Sequence, residues 1–268
     1  MLDRIIDSHT HCFPDGVAPK AVASLAATSF LSPVGSGSAA GLVQSMKSDG
    51  IYRSLVLPIA TSPRQVESCN SFAAKLANEH EELAVFGTLH PDYPDIGGQI
   101  EFLKKSGIRG IKLHPDFQGY YIDSPQMVGI MKAASDAGLM IYLHGGLDIS
   151  YPEINRCTPH RVARILPVLG DAVVICAHLG GYGYLSDSIR YLAGTNVFVD
   201  TSAVLGYFPN DDIFSVIRAF GADRVLFGTD WPWENPAASI KMLDSLGLAE
   251  DELKKIKYLN AAKLFGIE

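Results

Sequence analysis

Residues 4–16 read RIIDSHTHCFPDG, an apolar run that ends in two histidines, His9 and His11. Its two isoleucines are β-branched and favour a β-strand. Residues two apart in a strand share a face, so we expect both imidazoles to point the same way, with Thr10 opposite. Two imidazoles on one face can bind a metal ion. H-x-H is a short pattern, however, and two unrelated polar residues at a strand end are the alternative.

Seven further apolar runs follow this first one and alternate with helical patterns: SLVLPIA (54–60), LAVFGTLH (83–90), GIKLH (110–114), MIYLH (140–144), VVICAH (173–178), VFVDTS (197–202) and RVLFGTD (224–230). Most are apolar at both alternating sets of positions, as strands buried on both faces of a parallel sheet should be. Eight strands alternating with helices, without a break in composition, predict an α/β fold of the (β/α)₈ TIM-barrel type. The barrel would be a single domain spanning residues 1–268.

A doubly wound open sheet is the alternative fold, but its G-x-G-x-x-G signature has only a weak match in GSGSAA (35–40). Asp95, Ser124 and Thr158 are expected to cap the N-termini of later helices. The tail EDELKKIKYLNAAKLFG (250–266) starts acidic and turns basic, which suits the dipole of a C-terminal helix.

Composition narrows the class of partner. The formal net charge of −7 argues against a nucleic acid or an anionic membrane as the main partner. No run approaches the length of a membrane span, and the N-terminus lacks a signal-peptide core. The four cysteines are widely spaced and form no C-x-x-C motif, so they do not suggest a disulfide scaffold. We therefore expect a reduced, cytoplasmic protein that acts on a small molecule; the sequence leaves a homo-oligomer open.

Polar residues gather at the carboxyl ends of the predicted strands, where a (β/α)₈ barrel carries its chemistry. They are His9, His11, His90, Lys112, His114, His144, His178, Asp200 and Asp230, and they include six of the eight histidines. Imidazoles with a carboxylate are suitable ligands for Zn²⁺, Mn²⁺ or Fe²⁺. Any one of these histidines could simply form a hydrogen bond with a loop, but their convergence predicts a site assembled from several strands.

With these strand-end residues in place, the sequence resembles the amidohydrolase superfamily, specifically its amidohydrolase-2 branch. The resemblance rests on IIDSHTH, IYLHGG, ICAHLGG, LFGTDWPW and the tail NAAKLFG, and it covers essentially the whole chain. It implies that His9, His11 and His144 bind a divalent metal, most simply zinc, with manganese or iron as alternatives. Asp230 would bind the metal or the attacking water, and His178 would be a catalytic acid/base or a further ligand.

Lys112 and His114 in IKLHPDFQGY share a strand face by the same two-residue rule. KLHP resembles the KLYP of dihydroorotases, in which a carboxylated lysine bridges two metals. The alternative is an unmodified Lys112 that binds a substrate carboxylate or forms a salt bridge, with one metal in the site, and this is the case we favour. His114 would support the site or contact substrate. Arg156, in the loop after the fifth strand, could pair with an anionic substrate group.

The resemblance implies a metal-dependent hydrolase. The metal would lower the pKa of bound water towards about 7, Asp230 would accept its proton, and the metal and His178 would polarise the carbonyl. The substrate would be a small amide, cyclic amide, lactone or ester that could carry a carboxylate. Decarboxylation of a small unsaturated or aromatic acid, a lyase reaction known in the same branch, is the alternative. A metal-binding protein without catalysis is a third and weaker one.

Overall fold

A computed structural model describes residues 4–267 of the chain. In this range nine short strands are formed: β1 Ile6–Thr10, β2 Arg53–Val56, β3 Leu83–Val85, β4 Gly87–Thr88, β5 Gly110–Leu113, β6 Met140–Leu143, β7 Val174–Cys176, β8 Phe198–Asp200 and β9 Val225–Leu226. All paired strands are parallel. β3 and β4 are two halves of one run interrupted at Phe86, so the strands correspond to the eight predicted from the sequence.

The strands form a three-stranded sheet, β1-β2-β3, and a six-stranded sheet, β4-β5-β6-β7-β8-β9. The shared run of β3 and β4 connects the two sheets on one side. On the other side, Ser8 N donates to Phe227 O at 2.8 Å and Asp230 N donates to His9 O at 2.8 Å. These bonds link the first strand to the segment that follows the last one, as the predicted (β/α)₈ arrangement requires.

Helices separate the strands: α1 Ala18–Ser29, α2 Ala39–Asp49, α3 Val66–Glu79, α4 Ile96–Lys105, α5 Pro115–Gln118, α6 Pro125–Asp136, α7 Pro159–Leu169, α8 Leu185–Tyr191, α9 Asn210–Phe220, α10 Pro236–Asp244, α11 Glu250–Lys254 and α12 Asn260–Phe265. The predicted caps are confirmed, because the side chains of Asp95, Ser124 and Thr158 each accept a backbone N–H in the first turn of α4, α6 and α7. None of the helices within residues 4–267 has the length and apolar character needed to cross a membrane.

The predicted C-terminal helix is continuous, but it passes through a π-helical turn at Lys255–Leu259 between α11 and α12. In this turn the carbonyl of Ile256 accepts a hydrogen bond from Phe227 N at 2.9 Å. A π-turn changes the helical hydrogen-bond pattern, and here one of its carbonyls bonds the end of the barrel wall. The tail is therefore attached to the last strand of the barrel.

Side chains fill the barrel as a column of aromatic rings that runs from α12 to the strand ends. Phe265 of α12 packs edge-on against Phe86 with ring centroids 5.8 Å apart, and Phe86 packs against Tyr142 at 6.3 Å. Tyr142 in turn lies 5.4 Å from the ring of His9. This column of rings packs directly beneath His9 and so supports the polar strand ends from inside the barrel.

Candidate metal centre and active site

Seven of the nine strand-end polar side chains line one cavity of about 530 Å³, whereas His90 and Asp200 are not in its wall. Its wall includes seven of the eight residues expected in the site: His9, His11, Lys112, His114, His144, His178 and Asp230. Much of the remaining wall is apolar and comes from α1, the loops after β1 and β2, and the segments near residues 117, 147 and 233. The cavity thus has a polar floor and apolar sides.

Arg156, the eighth expected residue, is not part of the cavity wall. Its Nη1 lies 3.4 Å from Oδ1 of the buried Asp116, and its backbone N–H donates to the same oxygen at 3.2 Å. The side chain that sequence reasoning assigned to a substrate anion is therefore occupied by an internal carboxylate. Sequence reasoning did not consider Asp116 as its partner.

The first group of donor atoms comes from β1 and the loop after β9. Nε2 of His11 lies 3.0 Å from Oδ1 of Asp230, and Nε2 of His9 lies 3.4 Å from the same oxygen. The two imidazole rings are 5.1 Å apart, so they do share a face as predicted. Asp230 adopts a left-handed backbone conformation with φ of 57°, which is uncommon outside glycine and indicates a tightly held position.

The other ring nitrogen of each histidine has an acceptor of its own. Nδ1 of His11 lies 2.8 Å from the carbonyl of Leu57, and Nδ1 of His9 lies 2.9 Å from Oδ2 of Asp200. Both Nδ1 atoms are therefore the protonated ones in the neutral rings, and both Nε2 lone pairs face Asp230. Burial, and next the nearby Lys112, lower the pKa of His9 to about 3, which keeps that ring neutral.

These donors fit a divalent transition metal. Two ligand atoms bound to one ion at about 2.1 Å and at right angles lie about 3.0 Å apart, and wider angles increase that separation. The separations of 3.0 and 3.4 Å around Oδ1 of Asp230 match this range. Burial would raise the pKa of Asp230, but His9, His11 and His178 hold it well below its ordinary value, so the carboxylate is ionised.

His144 lies beside this group. The donor atoms of His9, His11 and Asp230 lie within 4.8 Å of one another, whereas His144 forms a separate group with His114 and Asp148. Its Nδ1 is 3.1 Å from Nε2 of His178. A nitrogen–nitrogen separation of this size also suits two ligands of one ion. The structure thus places His144 next to the expected catalytic histidine rather than directly among the other three ligands.

Asp148 is a polar residue of the site that sequence reasoning missed. Its Oδ2 lies 3.2 Å from Nε2 of His114 and 3.8 Å from Nε2 of His144, while Ser150 N donates to Oδ1 at 2.7 Å. The rings of His114 and His144 are stacked 4.0 Å apart at 14°. Because a metal must lie near the plane of each imidazole that binds it, two such nearly parallel rings are poorly placed to bind one ion through these nitrogens.

Asp200 links two of the expected site histidines, a role that sequence reasoning did not give it. It lies against Nδ1 of His9, and its Oδ1 accepts the backbone N–H of His178 at 3.1 Å and that of Ser202 at 2.9 Å. The hydroxyl of Tyr142 donates to Oδ2 at 2.5 Å. Burial acts to raise the pKa of Asp200, but His9, His178 and the hydroxyl of Ser202 lower it. A buried, ionised Asp200 therefore orients this side of the site.

Lys112 is fully buried on β5, and its Nζ lies 3.2 Å from Nε2 of His9 and 4.8 Å from the centre of the Tyr142 ring. Burial lowers the pKa of this amine to about 8, although Asp200 and Asp230 oppose the shift. The amine thus contacts an expected metal ligand directly. The predicted shared face is confirmed in that Lys112 and His114 both line the cavity.

The chain also matches known proteins. A family model described as Amidohydrolase covers residues 6–267. Gamma-resorcylate decarboxylase from Rhodococcus jostii is 36% identical over 73 residues, which make up 27% of this chain and 21% of that protein. The match with this relative therefore spans about a fifth of its length.

Two solved structures show the same fold. An uncharacterized TIM-barrel protein from Bordetella bronchiseptica has a TM-score of 0.78 at 18% identity, over 98% of this chain and 99% of that one. A dihydroxybenzoic acid decarboxylase from Polaromonas, solved with manganese and the inhibitor 2-nitroresorcinol, has a TM-score of 0.72 at 16% identity, over 99% and 97%. Together with the family model, which spans nearly the whole chain, they confirm the expectation from the motifs: this protein is a TIM-barrel member of the amidohydrolase-2 family in the amidohydrolase superfamily.

Proposed function

We propose that this protein is a metal-dependent decarboxylase of a small hydroxylated aromatic acid. The observation that carries the proposal is the shape of the site, in which a polar floor of histidines and Asp230 closes a cavity whose remaining wall is mostly apolar. An aromatic acid matches that division, with its carboxylate on the floor and its ring between the apolar walls. The decarboxylases among the relatives and structural neighbours favour this reaction over the hydrolysis that the motifs first indicated.

The residues proposed to hold the metal are His9, His11, His144 and Asp230. A divalent ion bound by them would supply a positive charge that binds the substrate carboxylate or phenolate and draws electron density from the ring. The donor set suits zinc, manganese and iron alike. Manganese is the ion that the solved Polaromonas enzyme binds, so we expect manganese to support activity at least as well as zinc.

Decarboxylation breaks the bond between the ring carbon and the carboxylate carbon. The electron pair stays on the ring, carbon dioxide leaves, and a proton must then reach the ring carbon. We assign the delivery of that proton to His178, whose Nε2 faces His144 while its Nδ1 lies 3.0 Å from the carbonyl of Ser202. This second contact keeps a proton on Nδ1, so the proton delivered to the ring carbon is a second one that Nε2 takes up from solvent before each turnover.

Lys112 supplies positive charge beside the same floor. As an ammonium it would attract the carboxylate of the substrate and hold it next to His9. His114 is stacked between Phe117, at 3.9 Å and 4°, and His144, at 4.0 Å and 14°, so both faces of its ring are covered and only its edge is left to contact the acid. These residues bind and orient the acid, and the apolar walls exclude water from the carbon that receives the proton.

The test is a comparison of two reaction classes on one preparation. Metal-free protein is reloaded with Mn²⁺ or Zn²⁺ and incubated with 2,6-dihydroxybenzoate and other hydroxybenzoates, and in parallel with small lactones, esters and cyclic amides. We expect metal-dependent release of carbon dioxide and the matching phenol, detected by chromatography. Turnover of the lactones, esters or cyclic amides alone would instead support the hydrolase hypothesis. Bound metal without turnover of either class of compound would favour a metal-binding protein without catalysis.

A further inference from the structure

Two helices, α1 and α2, lie between β1 and β2, whereas a (β/α)₈ barrel needs only one helix there. α2 packs against α10, the helix that follows the last strand, and so belongs to the outer ring of helices. α1 lies in an excursion of the chain whose two ends meet, since Phe13 N donates to Gly37 O at 2.8 Å. Within α1 only Ala18 and Val22 are buried. α1 is therefore an additional helix at the carboxyl end of the first strand.

One side of α1 lines the cavity that holds the candidate metal centre. Val17, at the N-cap, Ala21 and Leu25 follow one another at intervals of four residues, and all three belong to the cavity wall. Side chains four residues apart lie in a row along one side of a helix. Val17 is 50% exposed, and Ala21 and Leu25 are only partly buried. This row of apolar side chains is therefore not covered by the rest of the protein.

A second apolar surface of the same cavity comes from α3 and from the loop after β2. Cys69 and Phe72 of α3 and Ile59 of the loop belong to the cavity wall, and they too are only partly buried. Since β1 and β2 are paired, the segments that follow them are neighbours at the carboxyl end of the barrel. We call the space between these three residues and the row on α1 the apolar gap.

The charges of the cavity wall lie outside the apolar gap. Among the described residues the wall has four acidic or basic side chains, which come from β5 and from the loops after β6 and β9: Lys112, Asp148, Asp230 and Glu234. The apolar gap thus suits an uncharged group. A cavity of about 530 Å³ is also of the size that takes drug-sized ligands, which are larger than a hydroxylated benzoate. An acid whose carboxylate lies on the polar floor would leave the apolar gap unfilled if it had no further substituent.

We propose that the aromatic acid carries an apolar substituent of several carbons, which lies in the apolar gap against Ala21 of α1 and Phe72 of α3. The inference rests on the proposed function, because the substituent belongs to the acid whose carboxylate binds the floor of the same cavity. Apolar carbon leaves water when it enters the gap, and this favours binding. Each methylene that is fully buried there should strengthen binding by up to about fourfold.

The test measures binding, which does not depend on turnover. Calorimetry on the metal-loaded protein gives the dissociation constants of 2-hydroxybenzoate and of its methyl, propyl and pentyl derivatives, with the chain at each of the free ring positions in turn. For at least one position we expect the dissociation constant to fall by about two- to fourfold per added carbon, and by more than about 10-fold from the unsubstituted acid to the pentyl derivative. The other positions should show less, since the apolar gap lies on one side of the bound ring.

Two substitutions at one position locate the effect. Ala21→Trp fills the apolar gap, and Ala21→Glu places a charge in it. The gain from the chain is the ratio of the dissociation constants of the unsubstituted acid and its pentyl derivative, and both variants should reduce this ratio to below about threefold. Ala23→Trp and Ala23→Glu are the matched controls, because Ala23 is an exposed alanine of the same helix and is not part of the cavity wall. The controls should keep the gain of the wild type.

A wild type whose affinity does not rise with chain length at any ring position would overturn the inference, whatever the variants do. A gain that survives in both Ala21 variants, or that the Ala23 controls lose equally, would also overturn it. Decarboxylation of 2,6-dihydroxybenzoate without any gain from a chain would refute the inference and leave the proposed function standing. A gain that depends on Ala21 without release of carbon dioxide from any of these acids would instead refute the proposed reaction and leave the assignment of the apolar gap standing.

Discussion

The imidazole rings of His144 and His178 meet through their ring nitrogens, with Nδ1 of His144 3.1 Å from Nε2 of His178. Because Nδ1 of His178 lies against the carbonyl of Ser202, the lone pair of a neutral His178 points at His144. The two nitrogens must therefore share a proton or lie around one metal ion. An expected ligand and the expected proton donor are thus neighbours, and their roles have to be separated by measuring metal content and turnover together.

Replacing His9 and His11 with alanine should abolish metal binding and leave the barrel folded. Both Nε2 atoms face Asp230, so their loss removes two of the three donors of this group. Metal per chain is measured by elemental analysis and folding by circular dichroism. The double variant His80→Ala/His160→Ala is the control, since neither histidine belongs to the cavity wall. Full metal occupancy after loss of His9 and His11 would show that the ion is held elsewhere.

His178→Asn should reduce turnover by about 10²–10⁴ while most of the metal is retained, because loss of a general acid or base has an effect of this size. The comparison uses kcat and metal content on the same samples. A variant that turns over substrate at the wild-type rate would exclude His178 from proton transfer. Parallel loss of metal and activity would instead make His178 a ligand.

Asp200→Asn should weaken metal binding by about 10- to 100-fold, the usual effect of losing a carboxylate that orients a metal-binding histidine. Asp200 accepts from Nδ1 of His9, and an amide in its place can present an N–H to that nitrogen instead. Competition with a chelator gives the affinity. Asp171→Asn, an exposed aspartate, is the control. Unchanged affinity in Asp200→Asn would show that His9 is oriented without this contact.

Asp116 should make stability depend on pH. Burial raises its pKa to about 6 in the folded protein, against 3.8 as the ordinary value. Between about pH 4 and pH 6 the folded chain keeps a proton that the unfolded chain releases, so this group lowers the free energy of unfolding as the pH rises, by up to about 3 kcal/mol. Above about pH 6 its effect is constant.

Urea unfolding of the wild type and Asp116→Asn across this range isolates the effect. The amide keeps an oxygen for the backbone N–H of Arg156 but cannot ionise. We expect the stability of the wild type relative to the variant to fall from about pH 4 to about pH 6 and then level off. Two profiles that stay parallel throughout would show that Asp116 ionises normally in the folded state.

Lys112 should be unmodified, and the site should hold one metal per chain. Its amine lies 3.2 Å from Nε2 of His9, close to an expected metal ligand. Mass spectrometry of the native protein and metal analysis test this together, with and without bicarbonate during metal loading. Added mass of a carboxyl group on Lys112, two metals per chain and activation by bicarbonate would establish the bridged alternative.

The sequence alone determined the barrel and the end of it at which the polar side chains gather. Runs that are apolar at both alternating sets of positions are typical of strands buried on both faces. The apolar run marks where each strand ends, so His9 and Asp230 can be assigned to the carboxyl ends of their strands. The two-residue period of strands correctly placed His9 and His11 on one face. The N-cap preferences of Ser and Thr correctly placed Ser124 and Thr158 at the start of their helices.

Tertiary structure alone decided which side chains face one another. Asp200 reaches His9 across 191 residues of chain, and Arg156 turns to Asp116 across 40, and neither pairing leaves a periodic signal in the sequence. Glu234 likewise reads as an ordinary charged residue until its oxygens are seen to be buried without a partner. Local patterns report the face and the end of an element, whereas partners and unpaired groups depend on how distant loops pack over the barrel.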